Sequence, residues 1–176
     1  MDKVDIDEEL HEMFDEGPKK KIFDSHTIRE SIHQLGLTKP IVIETGSPVS
    51  EAIKLMQDNR VGCVLVQRKG YLAGIFTERD LLMKLTGTAK DYTKIKIDEV
   101  MTTDPEVLQP DDMIAFALHM MAVGGYRHVP IVDEENRPVA VVSVKGIVEF
   151  LVEMFPDEVL NLPRRPLRKA GEREGA

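Results

Sequence analysis

The chain has 176 residues, 42% of them hydrophobic and 31% charged, with a formal net charge of −8. That length suits one well-buried domain or two small units sharing a core, and the acidic balance argues against general nucleic-acid binding, which needs a basic face to displace counterions. A lone cysteine, Cys63, excludes an intrachain disulfide and a thiolate metal cluster; no apolar run reaches membrane-spanning length, and the acidic start lacks a signal peptide's apolar core, so a cytoplasmic protein without membrane contact is expected.

Residues 1–27 read as an acidic extension and linker. Within them, residues 5–15 have the pattern of a short amphipathic helix (Ile6, Leu10, Met13, Phe14) closed by Gly17-Pro18, and Lys19-Lys20-Lys21 follows. A second helical stretch spans about 26–35 and ends at Gly36. Next come a short apolar strand, Ile41–Ile43, a turn at Gly46-Ser47-Pro48, and a helix over Val49–Asn59, with Ala52, Ile53 and Met56 on one face. Strands Gly62–Val66 and Leu72–Phe76 flank a hairpin turn at Arg68-Lys69-Gly70. A helix over Glu78–Leu85 closes the unit, and Thr86–Lys96 is a polar linker.

The same order then recurs: strand Glu106–Leu108, helix Asp111–Val123, strands His128–Val132 and Val139–Val142, and helix Val144–Met154. Thr38-Lys39-Pro40-Ile41-Val42 corresponds to Thr103-Asp104-Pro105-Glu106-Val107 at an offset of 65, and the register holds through Ala52/Ala117, Met56/Met121 and Val64/Val129. One extra residue near Glu134-Glu135 moves the offset to 66, which aligns Gly74–Asp80 with Ala140–Gly146. Each unit is β-α-β-β-α and too small to bury a sheet face alone. The expected fold is therefore α+β: two tandem repeats, 28–89 and 90–155, packed sheet to sheet about a pseudo-two-fold axis. Residues 156–176 form a basic tail that is expected to be disordered.

Candidate binding residues lie where the copies differ. Thr77-Glu78-Arg79-Asp80 sits where a buried strand turns into a helix, whose N-terminus offers free N–H groups. Thr-x-x-Asp is also a capping box, and Ser143 keeps the cap in the second copy although Gly146 replaces the acid. The hydroxyl is thus explained by capping in both copies; the carboxylate of Asp80 is the more ligand-specific feature, suited to vicinal hydroxyls. Arg127 and His128 stand where the first copy has Gly62 and Cys63, and Lys145 stands where it has Arg79. A two-fold would bring all three basic groups towards Thr77 and Asp80, giving a carboxylate at a sugar end and cations at a phosphate end. A surface ion-pair face is the alternative. The five histidines show no metal-ligand spacing, and no activated nucleophile or Gly-rich phosphate loop accompanies His128 and Asp80, so no enzyme is expected.

The repeats resemble cystathionine β-synthase (CBS) domains, and the pair resembles a stand-alone Bateman module. The likeness rests on Gly74-Ile75-Phe76-Thr77-Glu78-Arg79-Asp80-Leu81-Leu82, on Tyr126-Arg127-His128-Val129-Pro130-Ile131-Val132-Asp133, and on Val100-Met101-Thr102-Thr103-Asp104-Pro105. It implies a homodimeric, regulatory module that binds an adenine nucleotide between its repeats and signals to a protein partner the sequence does not identify. Carried over by position, Thr77 and Asp80 match the family's ribose-binding pair. Arg127, His128 and Lys145 match positions that reach phosphates in adenylate-sensing members, and Thr38, Val42 and Ile75 match the adenine pocket. Because Gly146 replaces the second acid, one good site per chain is expected. AMP, ADP or ATP is preferred over S-adenosylmethionine, whose sulfonium sits poorly beside three basic groups; no obligatory cofactor is implied. A constitutive dimeric interaction scaffold with a vestigial pocket is the alternative.

Overall fold

A computed structural model describes residues 27–37, 39–87 and 91–156. The expected helix at 5–15, the basic tail and Thr38 lie outside these residues. Repeat one runs β1 (Val42–Glu44), α1 (Val49–Asn59), β2 (Cys63–Arg68), β3 (Tyr71–Thr77) and α2 (Glu78–Asp80), the last continued by a π turn over Leu81–Leu85. A short strand β4 (Thr102–Thr103) follows the linker. Repeat two runs α3 (Ile114–Gly124), β5 (His128–Val132), β6 (Pro138–Ser143) and α4 (Val144–Met154). No helix among the described residues is long and apolar enough to cross a membrane.

The first sheet has the order β1-β2-β3-β4: β1 parallel to β2, with Val42 opposite Leu65, and the other pairs antiparallel. Alternation along β2 and β3 sorts side chains between two cores. Val64, Val66 and Phe76 join Val49, Ala52 and Met56 of α1. Cys63, Leu65 and Ile75 point the other way and pack with Val42, Leu72 and Val141, the last from β6. This is the contact that joins sheet to sheet. The β2–β3 hairpin turns on Lys69 (φ 54°) and Gly70 (φ 88°), the left-handed pair that a two-residue turn requires.

The pseudo-two-fold is written into the hydrogen bonds. Val49 N donates to Ile95 O and Ile114 N to Glu30 O, both at 2.9 Å; Ile97 N donates to Ser47 O at 2.9 Å and Ile32 N to Asp112 O at 2.8 Å. Each pair is related by the repeat offset. The segment that opens each repeat is therefore strapped to the other one: Ile32 is fully buried in the core of repeat two and Ile97 in that of repeat one. This exchange corrects the expected helix at 26–35. The segment forms two 3-10 turns, Thr27–Arg29 and Ile32–Leu35, with Ser31 bridged to Met113, because its backbone is committed to repeat two.

A second correction concerns Glu106–Leu108, expected as a strand. It makes only one parallel bridge, Leu108 to Ile131. In repeat one, Leu65 N donates to Ile41 O at 2.9 Å. The equivalent donor in repeat two would be Pro130, which has no N–H, so the ladder cannot extend to Glu106. The remaining differences are smaller. β1 is shifted by one residue, α3 begins at Ile114 rather than Asp111, and the helix after Thr77 widens into a π turn after its first turn.

Candidate functional site

The interrupted ladder leaves space. A cavity of about 860 Å³ opens between the repeats, lined from repeat one by Gly62, Ile75, Thr77, Glu78, Arg79 and Asp80, from the strap by Thr102 and Asp104–Glu106, and from repeat two by Gly124–His128 and Pro130. The end of β3 thus faces the start of β5. Of the residues singled out from sequence, Thr77, Asp80, Ile75, Arg127 and His128 come together here. Val42 is not among the lining residues and packs between the sheets. Lys145 is also outside the lining, 83% exposed, and its ammonium pairs with Glu149 one turn along α4 at 3.1 Å.

Asp80 closes the cap of α2. Its Oδ2 accepts from the Thr77 backbone N–H at 3.0 Å and the Thr77 hydroxyl at 2.8 Å, while Asp80 N–H donates to Thr77 Oγ1 at 3.3 Å. Its Oδ1 accepts from Lys84 Nζ at 2.7 Å and, more distantly, from the Thr102 hydroxyl at 3.5 Å. At the pseudo-equivalent cap, Ser143 Oγ accepts from Gly146 N–H at 3.0 Å, and no carboxylate follows. Arg79 spans the repeats, donating through Nη1 to Gly125 O at 2.9 Å.

His128 crosses towards repeat one. A Cβ added at Gly62 would lie 3.0 Å from His128 Cε1 and 3.3 Å from Glu78 Oε2, so glycine makes room for both side chains. Burial, reinforced by neighbouring Arg127 and opposed by Glu78, lowers the His128 pKa. Burial, with Glu78 adding to it, pushes the Cys63 thiol up to about 12, which rules it out as a thiolate nucleophile near neutral pH. The Tyr126 hydroxyl donates to Glu106 Oε2; burial and this carboxylate push the phenol up to about 12. Among the described residues no group of three or more His, Cys, Asp or Glu could hold a metal ion.

Four carboxylates therefore line the cavity: Glu78, Asp80, Asp104 and Glu106. Sequence reasoning weighed only Asp80. The missed signal was Pro130 opposite Glu106, which marks where pairing stops and side chains from the strap turn inward. Asp104, with a left-handed φ of 48°, follows directly on β4.

The CBS domain family model matches residues 32–87 and 97–153. The chain belongs to the CBS-domain family. The two matched CBS segments begin at Ile32 and Ile97, the residues exchanged between cores. The chain is 30% identical over 135 residues to the CBS domain-containing protein CBSCBSPB3 of Arabidopsis thaliana, an alignment covering 73% of this chain and 24% of that protein. It thus spans about a quarter of that relative's length. Among solved structures, the CBS domain NE2398 superposes with a TM-score of 0.65 at 21% identity, over 70% of this chain and 98% of the other. The CBS domain pair of MJ0100, in complex with 5′-methylthioadenosine and S-adenosylmethionine, superposes with a TM-score of 0.62 at 23% identity, over 70% and 96%. These likenesses establish the fold of a CBS pair.

Proposed function

We propose that this CBS pair is a regulatory module that senses an adenosyl ligand in the cavity between its repeats and passes occupancy to a protein partner or to its own oligomer. One observation carries the reading: a capped, buried carboxylate from repeat one and a guanidinium–imidazole pair from repeat two face one cavity, so a ligand spanning them favours one packing of the repeats. A ligand shifts an equilibrium only through such differential contact. The MJ0100 pair, which binds 5′-methylthioadenosine and S-adenosylmethionine, supports the ligand class. Leu82 and Met83 at the cavity, 63% and 74% exposed, with Val123 on α3 and Val148 on α4, offer apolar surface for a homodimer or partner.

The charge balance alters the ranking of ligands. The preference for AMP, ADP or ATP counted three basic groups, but Lys145 is paired elsewhere, His128 is biased to its neutral form, and the cavity sets four acids against two guanidiniums, Arg127 and an Arg79 that is engaged with Gly125 O. This supports ligands with at most one phosphate, AMP beside 5′-methylthioadenosine and S-adenosylmethionine, over ADP and ATP.

Thermal unfolding of the chain, purified free of ligand, with each of the five compounds tests this. A ligand at a hundredfold excess over its Kd adds about 2.7 kcal/mol, or about 5–10 °C in Tm for a chain of this size. An Arg127→Ala variant should lose most of the AMP shift and keep that of uncharged 5′-methylthioadenosine. No shift with any compound would overturn the sensor and leave a constitutive dimeric scaffold with a vestigial pocket.

A further inference from the structure

Resting on the reading that an adenosyl ligand is held by its ribose at Asp80, we infer that Lys84 is an internal competitor for that ribose and sets the concentration at which the site fills. A carboxylate has about four acceptor positions. The two on Oδ2 of Asp80 are taken by the backbone N–H and hydroxyl of Thr77, at 3.0 and 2.8 Å, and they hold the helix cap. On Oδ1 sit the Lys84 ammonium at 2.7 Å and the Thr102 hydroxyl at 3.5 Å. The vicinal hydroxyls of a ribose need two acceptor positions, and only those on Oδ1 can be vacated without opening the cap. Thr102, at the limit of hydrogen bonding, yields easily. Lys84 does not.

The lysine is built to step back without being lost. Its Nζ also donates to Val100 O at 2.7 Å. Its side chain is 42% exposed against 11% for Asp80, so the displaced ammonium keeps water and one carbonyl. The π turn over Leu81–Leu85, closed by Thr86 N–H to Leu81 O at 3.1 Å, carries it there; such wide turns recur where a helix serves a site. Lys84 is absent from the cavity lining and reaches the acid from outside it. It is a positioning residue, acting on the ligand through Asp80.

Isothermal titration of adenosine and 2′,3′-dideoxyadenosine into the wild-type chain, Lys84→Met, Lys84→Gln and Lys84→Arg tests the inference. Both probes are uncharged, so loss of the lysine charge does not act on a phosphate. Lys84→Met and Lys84→Gln should each bind adenosine about three- to fivefold tighter, the scale of a half-exposed ion pair. Binding of the dideoxy compound should be unchanged. Lys84→Arg, which restores the cation, should bind adenosine like the wild type. Adenosine binding that is unchanged or weaker in both neutral variants overturns the inference and leaves the ligand reading standing, as does an equal gain with the dideoxy compound. Failure of every form to bind adenosine, AMP or 5′-methylthioadenosine overturns the ligand reading, and the inference with it.

Discussion

His128 shows how a single side chain at the cavity couples charge to stability. Burial is the larger cause of its lowered pKa, Arg127 adds to it, and Glu78 opposes both. The imidazolium is thus worse placed in the folded chain than in the unfolded one. As pH falls, the unfolded chain takes the proton first, so the stability His128 contributes is present above about pH 6.5 and drains away as pH drops through the lowered folded value. We expect the urea midpoint of the wild-type chain to fall more steeply between about pH 7 and pH 5 than that of a His128→Asn variant. Parallel profiles would show that the site does not penalise the charged ring. Asp80 makes a different point about what sequence can carry. Its spacing from Thr77 predicted a cap and a ligand group alike, and the cap is present in full. Lys84, which decides how available the carboxylate is, left no trace: a lysine four residues along an exposed helix is ordinary, and only the widened turn and the Val100 carbonyl give it meaning.

At the scale of elements, the offset between copies located the strands and helices well, because each is a short apolar run bounded by turn residues. α1, β5 and α4 fall where the periodicity put them. Where pairing depends on a distant strand, the sequence was mute. β4 was not foreseen, since Thr102–Thr103 is only two residues long and polar; it exists because β3 offers it an edge beside Gly74. A Cβ at Gly74 would lie 2.7 Å from both Met101 Sδ and Thr102 O. The methionine can rotate away, but the carbonyl is backbone and can clear the new methyl only by lifting the strap from β3. Repeat two carries Ala140 at the corresponding position, and among the described residues β6 has no third strand beside it. Gly74→Ala should therefore cost about 1–3 kcal/mol, the usual penalty for overpacking, with faster amide exchange at Thr102 and Thr103. A variant with wild-type stability and protection would mean that glycine here is not what admits the strap.

For the molecule as a whole, the exchange of Ile32 and Ile97 decides how the two repeats behave together. Each hydrophobic core is completed by a side chain from the segment that leads into the other repeat, and both isoleucines are fully buried. Neither core can open without releasing a strap whose continuation enters the other. Sequence periodicity could reveal the two copies but not this crossing, because Ile32 and Ile97 look like local apolar residues of their own repeats. Removing either side chain to alanine should cost about 2–5 kcal/mol, as for other buried aliphatic truncations. The diagnostic consequence is where the damage spreads. In Ile32→Ala, whose cavity lies in repeat two, the amides of β2 in repeat one should lose protection as much as those of β5, and Ile97→Ala should do the same in reverse. Native-state hydrogen exchange resolves this directly, since a shared opening gives all these amides one free energy. If β5 opened alone in Ile32→Ala while β2 kept its wild-type protection, the repeats would be independent units joined by a contact. A ligand spanning them could then stiffen one without informing the other. A common opening energy instead makes the pair one cooperative body, in which filling a cavity lined by both repeats stabilises every element at once.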